Sequence, residues 1–424
     1  MRIAVVGLGH IGLPLAVQYA SRGHDVIGCD VDPRIVDAVN RGTSPHEDEQ
    51  ALVDRVPELV AAGRLRATTD DAEGVRGADA VVVIVPVVVD DERTIDFGPI
   101  DAATRDLARG LELGTLVVYE TTLPVGTTRD RFGPMLEQGS GLRLDSDLFL
   151  AFSPERVLVG RVLLDLQRYP KIVGGTSPEA TRRAAAFYES VLEPGTEIRV
   201  MASAEAAEMT KLAETTYRDV NIALANEYAA YAARHGIDVT EVIEAANSQP
   251  YSHIHHPGVG VGGHCIPVYP HFLFNADAGL QLPPMARRIN DGMSRWTVDL
   301  VRERIGPLEG VPVLVLGIAY RADVREDAFS SAFRLRDELL AAGARVLGHD
   351  PYFDAEHLRA LGFEPWDLNA PEPVRVALLQ AAHDAYRTLG PAAIPGLELL
   401  VDGRNAMDRE PWERAGVAFA GIGR

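Results

Sequence analysis

The chain has 424 residues, 46% hydrophobic and 24% charged, an ordinary globular composition too long for a single core, so two or three domains are expected. A formal net charge of −20 argues against duplex nucleic acid as a partner, because phosphates need a basic face, although glycine loops and a few arginines can still hold a nucleotide. Cys29 and Cys265 are the only cysteines, which excludes a disulfide framework and fits a reducing compartment.

In chain order, Met1 and Arg2 lead straight into a predicted strand, Ile3 to Val6. No signal peptide is therefore expected, and the cytoplasm is the expected compartment. A helix over Leu13 to Ser21 and a strand over Asp25 to Cys29 follow, then strands over Ala80 to Val85 and Leu116 to Tyr119. Near-continuous apolar strands separated by helical stretches indicate a parallel sheet covered on both faces. Phe149 to Phe152 and Ile172 to Gly174 extend it. The longest apolar run, Ala80 to Val89, is broken by Pro86 and is too short to span a bilayer, so no membrane partner is expected.

From Ala202 to His235 a stretch without Pro or Gly, rich in Ala, Glu and Leu, predicts one long helix. More helix runs to Ala246, then a Gly/Pro/His-rich loop from Gln249 to Pro270. A second strand–turn–helix opens with Val313 to Leu316 and Gly317, followed by strands at Arg345 to Gly348 and Leu399 to Asp402. The predicted class is α/β, with two doubly wound units flanking a helical middle. The expected boundaries are 1–198, 199–300 and 301–424.

Gly7-Leu8-Gly9-His10-Ile11-Gly12 lies between the first strand and the first helix, the context a GxGxxG dinucleotide motif requires. Gly7 makes the tight turn, Gly9 admits a pyrophosphate to the backbone, and Gly12 lets helix and strand pack closely. The second strand ends at Asp30, where a carboxylate can accept from both ribose hydroxyls and repel a 2′-phosphate. NAD is therefore expected over NADP in a Rossmann-like site, with Arg34 stacked near the adenine or touching the ribose. Cys29, inside the strand, reads as a small buried hydrophobe.

Gly258-Val-Gly-Val-Gly-Gly263-His264-Cys265-Ile-Pro267 places four glycines in six residues and delivers one cysteine at the end. A thiolate there can attack an aldehyde carbonyl. On spacing alone the loop fits a structural cysteine beside a tight turn equally well. His253, His255, His256 and His264 lack the carboxylates or further cysteines of a convincing metal set, so no metal is expected. The chain contains only two lysines, Lys171 and Lys211, among 41 basic residues. Under such bias a surviving lysine points either to a need for its amine or to chance retention.

These features resemble the UDP-glucose/GDP-mannose dehydrogenase family nearly end to end. The markers are Gly7 to Gly12, Ala67-Thr-Thr-Asp70, Val85-Pro86, Glu120-Thr-Thr-Leu-Pro-Val-Gly-Thr127, Phe152-Ser-Pro-Glu-Arg156, Glu208-Met-Thr-Lys211, Gly262-Gly-His-Cys265, Leu316-Gly-Ile-Ala-Tyr-Arg321 and Asp402-Gly-Arg-Asn405. The resemblance implies an N-terminal NAD domain, a central helical domain that forms a homodimer, and a C-terminal domain that binds the nucleotide sugar. It implies a four-electron oxidation of the sugar C6 through a thiohemiacetal and thioester on Cys265. Lys211 would stabilise charge on the C6 oxygen, Thr122 would position water, and Glu155 would act as base. In isolation each has a plainer role: a helix salt bridge, a helix cap and a turn carboxylate. The cofactor set implied is Gly7, Gly9, His10, Ile11, Gly12, Asp30, Arg34, Pro86 and Thr122. The substrate set is Glu155, Arg156, Lys211, Gly262, Gly263, Arg321 and Arg404, with Arg404 reaching the substrate of the neighbouring subunit.

Three positions depart from the family. Thr215 replaces an Asn four residues after the lysine, Tyr269 replaces an Asp four residues after the cysteine, and Ser294 replaces a Pro after Met293. The first two thin the water-activating machinery, and the third is expected to be structural. The expected substrate is an NDP-glucose carrying uracil or thymine, with a UDP-N-acetylhexosamine as the alternative. An epimerase or dehydratase would need Tyr-x-x-x-Lys, but Gln167 and Ala207 stand four residues before the two lysines. A sensor that binds without chemistry has no use for Cys265, Lys211, Thr122 and Glu155 together.

Overall fold

The strands form where short runs of Val, Ile and Leu meet a glycine or a capping residue, because such runs can be covered on both faces. The computed structural model describes residues 1–46, 49–90, 94–157, 162–166 and 168–424. It divides into two compact units, Met1–Glu214 and Thr215–Arg424, and the division falls within the long helix Ala204–His235.

The first unit is built on an eight-stranded sheet. From edge to edge the strands are Ile198–Val200, Lys171–Gly175, Phe149–Phe152, Leu116–Tyr119, Ala80–Val83, Arg2–Val6, Asp25–Cys29 and Leu65–Thr68. The last six read, from the far edge inward, third, second, first, fourth, fifth and sixth in chain order, the doubly wound arrangement whose switch point lies between Arg2–Val6 and Ala80–Val83. All pairings are parallel except that of Phe149–Phe152 with Lys171–Gly175. The expected strands are found within a residue or two of their ranges. Leu65–Thr68 and Ile198–Val200 were not anticipated, because both are short, polar-flanked edge strands with little hydrophobic signal. Helix starts follow local chemistry: the Asp32 carboxylate accepts from the Arg34 amide ahead of Pro33, and the Ser177 hydroxyl accepts from Ala180 ahead of Pro178.

The second unit carries helices of the central region, among them Val239–Ala246, Pro270–Phe274 and Leu282–Ile305. It also holds a six-stranded, all-parallel sheet. Its order is Glu364–Pro365, Arg345–His349, Pro312–Leu316, Val376–Leu379, Leu399–Asp402 and Ala418–Gly421. This repeats the doubly wound order of the first sheet, so the expected α/β class with two such units and a helical middle describes the chain. Among the described residues no helix is long and apolar enough to cross a membrane.

Burial gives the fold a pH signature. It pushes Asp71 and Asp219 up to about 6, and Glu120 and Glu208 up to about 7. An unfolded carboxyl group titrates near ~4. Between that value and 6 to 7 these four groups hold more protons in the folded chain than in the unfolded one, so their contribution to stability falls as pH rises through this window, opposed in part by His255 and His349, whose pKa burial lowers. The low-lying Glu205, held near 2 by its Arg129 hydrogen bond, affects stability only below the window. The melting temperature is expected to climb by a few degrees between about pH 8 and about pH 5.5. A flat or opposite trend in thermal scans would sink this account.

Candidate functional site

In the first unit the GxGxxG turn sits at the switch point of the sheet. Gly7 has φ +97° and its amide donates to the Cys29 carbonyl at 2.8 Å, tying the turn to the neighbouring strand. A Cβ on Gly12 would lie 1.8 Å from the Gly7 carbonyl oxygen, so helix and turn touch only because that atom is absent. A Cβ on Gly9 would meet nothing within 4 Å, which leaves open ground where a pyrophosphate needs it. Asp30 accepts from the Leu8 amide through Oδ2 at 2.7 Å and from the Asp32 amide through Oδ1 at 2.9 Å. The half-buried carboxylate keeps further lone pairs for ribose hydroxyls. An open Gly9 beside an oriented Asp30 fits NAD.

The neighbouring residues close the crevice. Pro86 is exposed after Val85, whose carbonyl accepts from the Thr121 hydroxyl at 2.7 Å. Thr122 is buried beside that tie. His10 is exposed, its ring 4.3 Å from that of His46, and the His46 Nε2 lies 2.9 Å from the Leu8 carbonyl. Ile11 packs its side chain on the core. Arg34 has an ion-pair partner in its own turn. Its guanidinium grips Asp32 at 2.7 Å on a side chain 89% exposed, because the capping carboxylate two residues earlier is the nearest anion. Cys29 is buried, and burial raises its thiol pKa far out of the reactive range, as expected for a structural residue.

Also in the first unit, the Glu155 carboxylate accepts from the Arg156 amide through Oε1 at 2.6 Å and from Lys171 Nζ through Oε2 at 2.8 Å. Burial opposes ionisation of Glu155, but Lys171 and the Arg156 amide outweigh it and hold its pKa below the usual value. Lys211 Nζ donates to the Glu155 carbonyl at 2.6 Å. Arg156 is paired with Glu214 at 2.6 Å and donates to the Pro170 carbonyl at 3.1 Å. Glu208, one turn before Lys211, accepts from Gly126 and Thr128 and anchors the segment that follows Thr122. The sequence reading missed Lys171, Glu120 and Glu208 as members of this region. The scarcity of lysine was the one signal for the first.

In the second unit the Cys265 loop is packed from several sides. The Gly258 amide donates to Asn226 Oδ1 at 2.9 Å, and Asn226 donates to Asn290, which in turn bonds Asp219. The Ser294 hydroxyl donates to the Val259 carbonyl at 3.3 Å from within the helix Leu282–Ile305, a structural role as expected. Gly263, at φ +95°, donates to the Ala328 carbonyl, and a Cβ there would strike the Tyr320 ring at 2.9 Å. A Cβ on Gly262 would meet the Phe329 carbonyl at 2.9 Å. Cys265 is half-buried, and its carbonyl accepts from Val268 and Tyr269, so the cysteine opens a helical turn leading into Pro270–Phe274. Tyr269 packs its ring against Phe272, and Thr215 is buried at the start of the unit.

Arg404 is turned inward on its own chain. Its guanidinium donates to the Gly260 carbonyl at 3.1 Å and to the Gln380 carbonyl, and burial lowers its pKa to about 10. These bonds support the glycine loop from within the chain. Arg321 Nε donates to the Tyr320 hydroxyl at 3.1 Å. Asp350 occupies the place in this sheet that Asp30 holds in the first, accepting from the Ile318 and Ala319 amides. There, however, His383 also faces it at 3.1 Å in full burial. The Asp323 amide donates to His383 Nδ1, so Nε2 carries the proton toward Asp350. Asp350 thus carries more partners than Asp30, which leaves Asp30 the freer of the two to meet the ribose of NAD. Among the described residues no group of three or more His, Cys, Asp or Glu could hold a metal.

Asp30→Ala is expected to weaken NAD by ~10- to 100-fold through lost ribose bonds and an unanchored Leu8 amide. Binding of the nucleotide sugar should stay unchanged; isothermal titration with each ligand reads both, and an unaltered NAD affinity would refute the role.

Residues 1–192 match the NAD-binding domain of the UDP-glucose/GDP-mannose dehydrogenase family, residues 205–291 its central domain and residues 314–409 its UDP-binding domain. The UDP-N-acetyl-D-mannosamine dehydrogenase of Pyrococcus horikoshii is 35% identical over 436 residues, covering 100% of this chain and 99% of that protein. A solved UDP-ManNAc dehydrogenase structure from that organism has a TM-score of 0.89 at 34% identity, over 100% of this chain and 99% of that one. The NDP-N-acetyl-D-galactosaminuronic acid dehydrogenase of Methanosarcina mazei has a TM-score of 0.87 at 31% identity, over 100% and 95%. A UDP-glucose dehydrogenase from Pyrobaculum islandicum has a TM-score of 0.86 at 26% identity, over 100% and 97%. This chain belongs to the UDP-glucose/GDP-mannose dehydrogenase family and is an NAD-dependent nucleotide-sugar dehydrogenase.

Proposed function

We propose that the chain oxidises C6 of a UDP-linked N-acetylhexosamine, with the mannosamine sugar first, to the carboxylate. The observation that carries this reading is the end-to-end identity with the Pyrococcus horikoshii enzyme, whose name states that substrate. It favours the N-acetylhexosamine alternative over the NDP-glucose expectation. A more particular likeness, to the NDP-glucose dehydrogenase of the calicheamicin pathway in Arg-rich composition and the Tyr269 loop, is not supported by the relatives above. Fold alone does not separate the substrates, since a UDP-glucose dehydrogenase superposes almost as well.

In this reading the Gly7 to Gly12 turn and Asp30 would hold NAD, which would supply the hydride acceptor for each of the two oxidations. The Lys211 ammonium stabilises negative charge on the C6 oxygen. The Cys265 thiolate adds to the aldehyde to give a thiohemiacetal, loss of a second hydride leaves a thioester, and water cleaves it to the acid and the free thiol. Thr122 positions that water and Glu155, ionised at neutral pH, takes its proton. Arg156, Arg321 and Arg404, with Gly262 and Gly263, serve the nucleotide sugar. A reducing cytoplasm suits a mechanism that needs Cys265 as a thiol. We further propose a homodimer through the central helix, where Tyr217, Leu224, Tyr228 and Tyr231 are large and exposed; sedimentation reads it.

A substrate panel tests the function: UDP-N-acetylmannosamine, UDP-N-acetylglucosamine, UDP-glucose, dTDP-glucose and GDP-mannose, with NADH and acid both quantified. Two NADH per acid with an N-acetylhexosamine is the expected result. Turnover of an NDP-glucose with none of the N-acetylhexosamines would overturn the substrate. Tight binding with no NADH from any sugar would favour a sensor.

A further inference from the structure

The one antiparallel pair in the first sheet has a chemical consequence. Phe152 is registered with Gly174 and Ala151 with Gly175, and the same register continued toward the loop brings Lys171 opposite Glu155. Lys171 Nζ bridges two carboxylates at 2.8 Å each, Glu155 on one side and Glu120 on the other, with the lysine side chain only 5% exposed. Glu120 follows the strand Leu116–Tyr119 and is itself buried. Its Oε1 accepts from the Tyr188 hydroxyl at 2.6 Å and the Tyr19 hydroxyl at 3.2 Å, from two different helices. The Lys171 ammonium also lies 4.8 Å over the Tyr188 ring. A buried lysine held by two carboxylates and a ring face has little freedom to move, and neither has the carboxylate it holds.

We propose that Lys171 and Glu120 are positioning residues for Glu155, holding its carboxylate charged and in a single orientation for the acid-forming half of the reaction. The inference rests on the reading of Glu155 as the base for thioester hydrolysis. Tyr19 and Tyr188 are raised far above the usual phenol range by burial and by Glu120, so they stay neutral donors. Lys211 reaches the Glu155 backbone carbonyl, and Arg156 is neutralised by Glu214. Lys171 is the cation seen on Glu155 Oε2, and Glu120, pushed up by burial to about 7, governs how much of it Glu155 receives. With Glu120 protonated the ammonium serves Glu155 alone; with Glu120 ionised it is shared, and Glu155 becomes the stronger base.

The test uses the full chain and a readout free of turnover. Infrared titration of the carboxylate bands, as the difference between the native protein and Glu155→Gln, should show Glu155 ionised from about pH 5 to about pH 8. In Lys171→Met, two buried carboxylates lose their cation, and Glu155 should take up a proton within that window. The acid limb of acid formation should move up by ~1 pH unit or more, with Lys171→Arg restoring both. A merely structural lysine would lower the melting temperature and leave the Glu155 titration where it was, and that result overturns the proposal. If Lys171→Met does not fold, Glu120→Gln carries the test: Glu155 should then stay ionised to lower pH, and an unchanged titration refutes the coupling. A native protein that forms no acid from any nucleotide sugar would defeat the proposed function, while the infrared titration would still decide the role of Lys171.

Discussion

Cys265→Ser is expected to cut acid formation by ~10³-fold or more while leaving NAD affinity unchanged. A serine hydroxyl at that place is a far weaker nucleophile at neutral pH than a thiolate, so the aldehyde finds no covalent partner. The first oxidation does not need the thiol, and the variant should release up to one NADH per sugar in single turnover. Structural damage should be small, because Cys265 is half-buried and the loop is held by backbone bonds at Gly258, Gly263 and Tyr269. NADH and acid measured together, with mass spectrometry for a thioester on the native chain, separate the two halves. Full production of acid by the serine variant would end the covalent reading.

The first half of the site was legible because its chemistry is local. Gly7 to Gly12 and Asp30 do their work through backbone geometry at fixed spacing, and the structure sets Asp30 on the Leu8 amide as that spacing requires. The two sheets were legible for a similar reason, since their central strands are unbroken apolar runs. The Glu120–Lys171–Glu155 bridge was not. Its members lie on three strand ends, and only the reversal of one strand brings Lys171 to Glu155. No periodicity reports that reversal, because an antiparallel and a parallel buried strand carry the same apolar pattern. Arg34 and Arg404 have intrachain partners that no spacing announces, Asp32 for one and the Gly260 carbonyl for the other. Asp350 looks interchangeable with Asp30 by position alone. The buried His383 beside it distinguishes them, and that contact spans 33 residues.

Lys211→Ala is expected to slow turnover by ~10²- to 10⁴-fold, the range for removing one preorganised group that stabilises a developing oxyanion. The ammonium is already fixed on the Glu155 carbonyl at 2.6 Å from the helix Ala204–His235, so it need not reorganise as charge appears on the C6 oxygen. The defect should differ in kind from that of Cys265→Ser. With the cysteine gone the first oxidation survives; with the lysine gone the first hydride transfer itself becomes slow, and no NADH burst precedes the loss of acid. Lys211→Arg should rescue little, since a planar fork cannot occupy the point a compact ammonium holds. Binding of NAD should be unaffected, because the Gly7 to Gly12 turn and Asp30 do not depend on this side chain. Stopped-flow NADH formation in the two variants side by side reads the difference. A normal first burst in Lys211→Ala would reassign the lysine to structural support of Glu155, leaving the C6 oxygen to other donors.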